Sequence, residues 1–167
     1  MSSVTPLVVF TDGACQGNPG PGGWAWAVAP EGMVHGSGGQ AHTTNQRMEV
    51  QAVLEALRVY ADLPPGSVTI VSDSTYVVNC FRDRWWVRWQ QNGWKNSKKE
   101  PVANTDLWKP LIEVVQRTQP SFRWVKGHSG DPMNDLVDRL AVVAAQGPFE
   151  RPATAMSVDP PSQSSLF

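Results

Sequence analysis

The alternation of apolar and polar positions divides the first part of the chain into predicted strands and a helix. Residues 7–11 form a short run of apolar and β-branched side chains, which predicts a strand, and a loop rich in glycine and proline follows. Residues 24–29 and 33–38 are two more such runs, and the turn-forming residues between them predict a β-hairpin beside the first strand. From residue 45 to residue 60 the apolar side chains recur at helical intervals. This part of the chain therefore predicts three strands followed by an amphipathic helix.

The rest of the chain continues with two further predicted strands and three helical segments. Residues 68–71 and 121–125 are short apolar runs, and they predict the fourth and fifth strands. The predicted helical segments are residues 74–81 with the tryptophan-rich stretch after them, residues 104–117 and residues 132–145. This order of elements predicts an α/β fold in which helices flank a five-stranded mixed sheet.

The length and the C-terminal composition predict one folded domain and a tail. A chain of 167 residues is long enough to bury a substantial core without disulfides. Residues 147–167 contain several prolines and serines with little periodicity, which is typical of a disordered segment. We therefore expect a domain over residues 1–146 and a disordered tail over residues 147–167.

The charge is distributed unevenly along the chain. The net charge is −1 and the predicted pI is near 6.3, which argues against a uniformly basic nucleic-acid-binding protein. Residues 82–99, however, contain six lysines and arginines against one aspartate, together with half of the chain's eight tryptophans. Basic side chains between aromatic faces suit a nucleic-acid backbone and its bases. The alternative is a helix with core tryptophans and solvated charges, and we expect both descriptions to apply across Trp85, Trp86 and Trp89.

The cysteines and the N-terminus bear on the location of the protein. Cys15 and Cys80 do not form a metal-ligand pair, and so few cysteines favour a reducing compartment. The first residues carry no positively charged segment, and the apolar run that follows is too short for a signal or membrane segment. We therefore expect a cytoplasmic protein that does not interact with membranes.

Four acidic residues stand where an apolar element ends or a helix turns inward. They are Asp12, Glu49, Asp73 and Asp138. Carboxylates packed together repel one another and shift toward the neutral form unless a hard cation balances their charge. The arrangement therefore predicts a cluster that holds divalent metal.

Several motifs in the order in which they occur make this chain similar to a known family. The motifs are residues 11–15 and 17–23 (Thr-Asp-Gly-Ala-Cys and Gly-Asn-Pro-Gly-Pro-Gly-Gly), residues 44–49 (Thr-Asn-Gln-Arg-Met-Glu), residues 73–74, the basic stretch that ends at residues 93–95, and residues 125–130 with Asp138. Over residues 6–146 the chain closely resembles type 1 ribonuclease H, which cuts RNA in RNA/DNA hybrids. The resemblance implies the ribonuclease H-like fold, an endonuclease and a monomer.

The resemblance also implies roles for the acidic residues. It makes Asp12, Glu49, Asp73 and Asp138 the ligands of two Mg²⁺ ions, for which Mn²⁺ can substitute. It implies hydrolysis of the RNA strand that leaves 5′-phosphate and 3′-hydroxyl ends, which fits two metals acting on opposite sides of one phosphorus. His128, in a glycine-flanked loop, is then the residue that assists proton transfer or product release.

By the same resemblance, further residues contact the hybrid. Cys15, Asn18, Asn45 and Gln46 face the minor groove and read the 2′-hydroxyls, which distinguish RNA from DNA. Thr44 and Asn104 match a pocket for a phosphate of the DNA strand. Asn18 could equally be a turn residue, and Asn104 could equally be a helix cap.

The chain departs from the family pattern at two places. His42 stands where many bacterial relatives have the arginine that completes the phosphate pocket, so we expect a weaker or pH-dependent grip on the DNA strand. Residues 90–92 are Gln-Gln-Asn where those relatives often carry lysine or arginine. Hybrid affinity is then expected to depend more on Trp85, Arg88, Lys95 and the later lysines, with a shallower salt dependence.

Two other functions compete with this hypothesis, and one further partner would extend it. A non-catalytic hybrid-binding module would keep the groove without the chemistry, and an integrase or proofreading exonuclease could use the same architecture. The chain ends in a segment similar to the short peptides by which bacterial replication proteins dock on the sliding clamp, with Gln163, Leu166 and Phe167 as the candidate contacts. An inert tail is the alternative.

Overall fold

The computed structural model describes residues 5–149. In this part of the chain five strands form one sheet, and five helices cover its two faces. The strands are β1 Leu7–Cys15, β2 Gly20–Val28, β3 His35–Thr43, β4 Val68–Ser72 and β5 Ser121–Trp124. The helices are α1 Asn45–Val59, α2 Thr75–Arg82, α3 Trp85–Asn92, α4 Thr105–Thr118 and α5 Pro132–Ala145. The predicted α/β fold with a five-stranded mixed sheet and flanking helices is confirmed.

The strand order places the ends of two parallel strands side by side at the centre of the sheet. The order is β3-β2-β1-β4-β5, in which β1, β2 and β3 pair antiparallel while β1, β4 and β5 pair parallel. Thr11 in β1 pairs with Ser72 at the end of β4. The residues that follow this pair, Asp12 and Asp73, therefore come to the same edge of the sheet.

Each face of the sheet has its own apolar cluster. One cluster packs α1, α2 and α4 on the sheet, and Leu54 and Trp108 are fully buried in it. The other packs α5 on the opposite face, around Phe10, Val71 and Val137. Because both faces are covered, the central strands are rigid supports for the residues at their ends.

The glycine-rich segment after β1 is a strand over much of its length, where the sequence predicted a loop. β2 begins at Gly20. Because its glycines have no side chains, helices and neighbouring strands can approach the β2 backbone closely. A Cβ atom on Gly23 would lie only 2.2 Å from the carbonyl oxygen of Ala141 in α5. The predicted hairpin is also shifted, since β3 begins at His35 and leaves Met33 and Val34 exposed in the turn.

The continuous helix predicted after residue 74 is broken in two. Asp83 ends α2, and Arg84 adopts a left-handed backbone conformation with φ of 58° before α3 begins. The break changes the direction of the chain, so the tryptophan-rich segment projects away from α2 as a separate helix.

Two predictions, the disordered tail and the sliding-clamp contact, concern residues outside the described range. Most of the predicted tail, residues 150–167, lies outside it, and so do Gln163, Leu166 and Phe167. Within residues 5–149, none of the helices combines the length and apolar character needed to cross a bilayer.

Candidate active site

Three of the four predicted carboxylates form a tight cluster. A carboxylate oxygen from each of Asp12, Glu49 and Asp73 lies within 4.8 Å of the others. Asp138, on α5, lines the same cleft beside this triad, together with His128 from the loop after β5. The structure therefore brings all five predicted catalytic residues to one cleft.

The fold positions these side chains through backbone contacts. Asp12 belongs to β1 and Asp73 follows β4, so their separation depends on the parallel register. Glu49 reaches them because α1 crosses β1 at Gly13, where a Cβ atom would lie only 2.5 Å from the backbone nitrogen of Glu49. Any side chain at residue 13 would push α1 away. A glycine is therefore required here for the cluster to close.

Burial and mutual repulsion favour the protonated forms of these acids. Burial, followed by the nearby Asp73, raises the pKa of Asp12 to about 8, although the Gly13 backbone N–H donates to Asp12 Oδ1 at 2.9 Å and opposes this. Burial first, and Asp12 second, also raise the pKa of Glu49. The pKa of Asp73 is raised mainly by burial, while Asn134 opposes the change. Two of the three acids, Asp12 and Glu49, are also nearly inaccessible, with 3% and 8% exposure.

The donor set fits a hard divalent cation. Among the residues that the structure describes, Oε1 of Glu49 is buried and has no hydrogen-bond partner. A buried carboxylate oxygen without a donor is unfavourable, and a cation would both coordinate it and offset the repulsion from Asp12 and Asp73. Carboxylate oxygens are the ligands that Mg²⁺ and Mn²⁺ prefer. The cluster is therefore suited to a metal, as the sequence predicted.

His128 lies in a strained loop against the cluster. Its backbone is left-handed with φ of 56°, a conformation that costs a non-glycine residue about 1 kcal/mol or more. The neighbouring Gly127 passes so close that a Cβ atom there would lie 2.7 Å from Asp73 Oδ2. The loop thus holds the imidazole at the cleft at an energetic cost, which is a common feature of functional sites.

The predicted readers of the RNA strand surround the cleft. Cys15 and Asn45 line it, and Gln46 is exposed at the start of α1. Asn18 Oδ1 accepts a hydrogen bond from the backbone nitrogen of Asn45 at 2.9 Å. This contact ties the β1–β2 turn to the start of α1. Asn18 therefore has a structural role, and within residues 5–149 its amide NH₂ group has no hydrogen-bond acceptor.

The predicted phosphate pocket contains a residue that the sequence analysis missed. Thr44 caps α1 by accepting from the backbone nitrogen of Arg47 at 3.2 Å. The Arg47 guanidinium donates to Asn104 Oδ1 at 3.3 Å and forms a two-pronged ion pair with Asp106 at 2.9 and 2.6 Å. Arg47 therefore contacts both predicted pocket residues, Thr44 and Asn104. Its position between Thr44 and Glu49, at the start of α1, is the sequence feature that could have identified it. His42 is exposed on β3.

The interpretation of Asn104 as a helix cap is wrong in one respect. Asn104 occupies the N-cap position of α4, but its side chain makes no capping hydrogen bond. Its backbone is left-handed, with φ of 63°, which turns the side chain toward α1 and α2. There its amide nitrogen donates to the Tyr76 hydroxyl at 3.3 Å, and Trp108 Nε1 donates to the same hydroxyl at 2.8 Å.

The tryptophan-rich segment combines packing and exposure. Trp89 packs against Trp94 and Trp108 with ring centroids 5.8 and 5.5 Å apart, so it anchors α3 to the core. Trp85, Arg88 and Lys95 line one shallow cavity of about 450 Å³ on the outer side of this segment. The structure therefore brings the three predicted contact residues together on a single surface.

Comparison with known proteins agrees with this geometry. The family model described as RNase H matches residues 5–146. The ribonuclease H of Nitratidesulfovibrio vulgaris (strain DP4) is 52% identical over 136 residues, which cover 81% of this chain and 86% of that protein. The ribonuclease H of Moorella thermoacetica is 48% identical over 139 residues, with 83% and 90% covered.

A solved structure is similar in fold as well as in sequence. LC9-RNase H1, a type 1 RNase H with the type 2 active-site motif, superposes with a TM-score of 0.72 and 32% identity. The alignment covers 87% of this chain and 75% of that one. Both the sequence match and the arrangement of the carboxylate cleft lead to one assignment. The chain belongs to the ribonuclease H family, a family of hydrolytic nucleases, and it is of type 1.

Proposed function

We propose that the protein hydrolyses the RNA strand of RNA/DNA hybrids at the carboxylate cleft and leaves 5′-phosphate and 3′-hydroxyl ends. The observation that carries the proposal is the triad of Asp12, Glu49 and Asp73, whose oxygens lie within 4.8 Å of one another. Asp138 and His128 line the same cleft. Without a cation these acids would repel a phosphate backbone, so the cleft makes chemical sense as a metal-dependent phosphodiesterase site.

Two divalent ions, Mg²⁺ with Mn²⁺ as a substitute, would be held by Asp12, Glu49, Asp73 and Asp138. When bound, they supply activation of the attacking water and offset the charge that develops on the leaving 3′ oxygen. The chain supplies a rigid set of ligands, because β1, β4 and α1 are buried elements whose spacing is set by the core.

His128 would supply a proton to the leaving 3′ oxygen. The imidazole stands in a loop at the rim of the cleft, where it can approach a substrate and withdraw with the product. Its left-handed backbone is compatible with a second, relaxed conformation of the loop. We therefore assign to His128 proton transfer and product release, and to the carboxylates the binding of metal.

Recognition of RNA would come from the groups around Asn45. Cys15 and Asn45 line the cleft, Asn18 is hydrogen-bonded to the backbone of Asn45, and Gln46 is the next residue of α1. Amides can both donate to and accept from a 2′-hydroxyl. These groups lie on the β1–β2 turn and the first turn of α1, beside the metal ligands. The nucleotide that is read is thus close to the one that is cut.

The DNA strand would be held by two further surfaces. Thr44 and Asn104, with His42 nearby in sequence, form the proposed phosphate pocket. Trp85, Arg88 and Lys95 form an aromatic and basic platform further along. The RNA strand would then lie at the carboxylates and the DNA strand across the minor groove from them. This placement would determine which strand is cut.

The experiment that tests the proposal is cleavage of a labelled RNA strand paired with DNA in the presence of Mg²⁺. RNA/RNA duplex and single-stranded RNA serve as substrate controls. Asp73→Asn is expected to lower kcat by at least about 100-fold, because it removes a charged ligand at the reacting centre. Asp62→Asn is the matched control, since Asp62 is exposed in the loop after α1.

Cleavage restricted to the hybrid, lost in Asp73→Asn and kept in Asp62→Asn, would support the substrate and the metal site together. Binding of the hybrid without cleavage, with either Mg²⁺ or Mn²⁺, would favour the non-catalytic module instead. Equal cleavage of RNA/RNA duplex would contradict the proposed substrate.

A further inference from the structure

A cavity of about 650 Å³ lies between α2, β5 and the connection from α4 to β5, outside the carboxylate cleft. We call it the arginine pocket and define it by two arginines, Arg82 and Arg84, and by three of its aromatic side chains, Trp86, Phe122 and Trp124. Arg123 borders it through β5, but Arg123 pairs with Val71 and so faces the opposite side of the sheet from Phe122 and Trp124. None of them belongs to the proposed catalytic or hybrid-binding sets.

The arginine pocket is positively charged and uncompensated. Among the described residues that line it, none is acidic, and Asp83 between two of the arginines in sequence is exposed outside it. Within residues 5–149 neither Arg82 nor Arg84 forms a salt bridge. Arg82 donates to Asn79 Oδ1 at 2.9 Å, which holds its guanidinium without neutralising it. Guanidinium groups that have no carboxylate partner are suited to binding phosphate.

The aromatic side chains give the arginine pocket flat walls. Phe122 stacks on Phe81 with ring centroids 4.4 Å apart and planes 4° apart, so the floor of the pocket is rigid. Trp124 is 46% exposed, and Trp86 is partly exposed. Open aromatic faces beside unpaired arginines are the combination that binds unpaired nucleotides, since bases stack while phosphates pair with the cations.

The arginine pocket lies next to Asp73, which lines the proposed catalytic cleft. The Trp124 indole N–H donates to the backbone carbonyl of Asp73 at 3.1 Å, so one wall of the pocket is bonded to a residue that would hold the metal. The strand that reaches Asp73 is RNA in the proposed function. An RNA strand held at Asp73 would therefore lie beside Trp124.

We propose that the arginine pocket binds an unpaired segment of the RNA strand that extends from the hybrid. The proposal rests on the proposed function, because it requires RNA at Asp73. A duplex keeps its bases inside the helix, whereas a single-stranded extension can turn its bases onto Trp86 and Trp124. The pocket would thus favour hybrids whose RNA continues beyond the paired region.

The proposal is tested by binding of the full chain, carrying Asp12→Asn so that it does not cut, to fluorescent hybrids in Mg²⁺. The hybrids share one paired sequence and differ in their ends: blunt, with an RNA extension at either end, or with a DNA extension at either end. We expect at least one RNA extension to tighten binding about 10-fold relative to the blunt hybrid, which is the scale of stacking one base on an aromatic side chain.

Arg82→Gln and Trp86→Leu, each added to this background, are expected to remove most of that gain and to leave affinity for the blunt hybrid within about two-fold. Arg58→Gln is the matched control, because Arg58 is an exposed arginine of α1 outside the arginine pocket. Circular dichroism of each variant establishes that it is folded.

Equal affinity for blunt and extended hybrids would overturn the proposal, and so would a gain that survives both substitutions. Competition by poly-glutamate as strong as that by single-stranded RNA would overturn it in favour of an acidic peptide. Cleavage of the blunt hybrid by the unsubstituted chain is measured beside these assays. If the blunt hybrid is cut but extensions have no effect, only the arginine pocket proposal fails, whereas absence of cutting contradicts the proposed function.

Discussion

At the scale of single residues, the carboxylate cluster costs the metal-free protein stability. Asp12, Glu49 and Asp73 are brought within 4.8 Å of one another, and the first two are almost inaccessible to water. The core packing of β1 and α1 imposes this proximity, so the acids cannot separate to relieve it. The consequence is a raised pKa for each, and a site that gains stability when a cation binds.

The raised pKa of Asp12 predicts a specific pH dependence. In the unfolded chain this acid loses its proton near pH 3.8, whereas in the folded, metal-free protein it keeps the proton up to about pH 8. Between these values the folded state holds more protons, so its free energy of unfolding falls as pH rises. Asp12→Asn removes this loss of stability with rising pH, because asparagine does not ionise. With chelator present, we expect it to stabilise the protein at pH 8 by at least about 1.4 kcal/mol, the equivalent of one pKa unit.

The measurement is urea unfolding of the chain and of Asp12→Asn in chelator at pH 5 and pH 8. Because other acids contribute to both proteins, the informative quantity is the difference between them at each pH. Asp62→Asn is the control at an exposed position. Stability differences that are the same at both pH values would contradict the prediction.

The same protonation predicts that metal binding releases protons. At pH 7 the folded protein still holds protons on the cluster, since the pKa of Asp12 is about 8, and a metal requires the ionised acid. We therefore expect Mg²⁺ affinity to increase from pH 6 to pH 8. Calorimetric titration at pH 7 in two buffers of different ionisation enthalpy should give different apparent heats. Identical heats would mean that the acids are already ionised.

At the scale of elements, Arg47 links α1 to the start of α4. Its backbone nitrogen donates to Thr44, while its guanidinium donates to Asn104 and pairs with Asp106. The ion pair is mostly exposed on the Asp106 side, at 63%, so its contribution to stability is small. Its main effect is to orient Asn104, which has no capping bond to hold it. Arg47 is therefore a positioning residue for the proposed phosphate pocket.

Arg47→Lys is expected to raise KM for the hybrid by roughly 10-fold and to leave kcat within about two-fold, because a lysine cannot hold Asn104 and Asp106 together. Steady-state cleavage kinetics with thermal unfolding as a parallel measurement separates this role from a structural one. Arg58→Lys is the matched control, since Arg58 pairs with Glu55 of the same helix. A large drop in melting temperature with an unchanged KM would assign Arg47 to stability alone.

At the scale of the whole molecule, a nearly neutral chain presents one basic surface. The net charge is −1, yet α3 and the loop after it, residues 85–99, carry the exposed cations Arg88, Lys95, Lys98 and Lys99. Gln90 and Gln91 are exposed on that helix where lysines would add to the surface. Long-range attraction to the hybrid therefore comes from few cations, and the salt dependence of binding should be correspondingly shallow.

Replacing Gln90 and Gln91 by lysine is expected to steepen the dependence of log Kd on log salt by about 0.9 for each new phosphate contact. Hybrid binding by the Asp12→Asn chain between about 50 and 200 mM salt gives the slope. Gln116→Lys, at an exposed position on α4, is the control for the effect of an added positive charge outside α3. An unchanged slope with both lysines present would mean that this side of α3 does not face the hybrid.

Much of the fold was predictable because it depends on local patterns. The apolar periodicity of α1, the short apolar runs of β1, β4 and β5 and the order of elements each follow from neighbouring residues. Where the prediction was wrong, one difference depends on distant residues and one on the local backbone. Gly23 lies in a strand that packs closely against α5, whereas α2 ends at Asp83 because the adjacent Arg84 adopts a left-handed conformation.

The candidate site also combines features that the sequence predicts with features that only the fold determines. The identity of its acids and of His128 is legible in short motifs, because the chemistry restricts the residue types. The sequence alone determined the family, the fold class and the residues that could serve as metal ligands. Only the tertiary structure decided that Asp12, Glu49 and Asp73 are close enough to share a cation, that Arg47 joins α1 to Asn104, and that Arg82 and Arg84 border one aromatic cavity. These features are distances between residues far apart in sequence, which strand register and helix packing set and which no local pattern encodes.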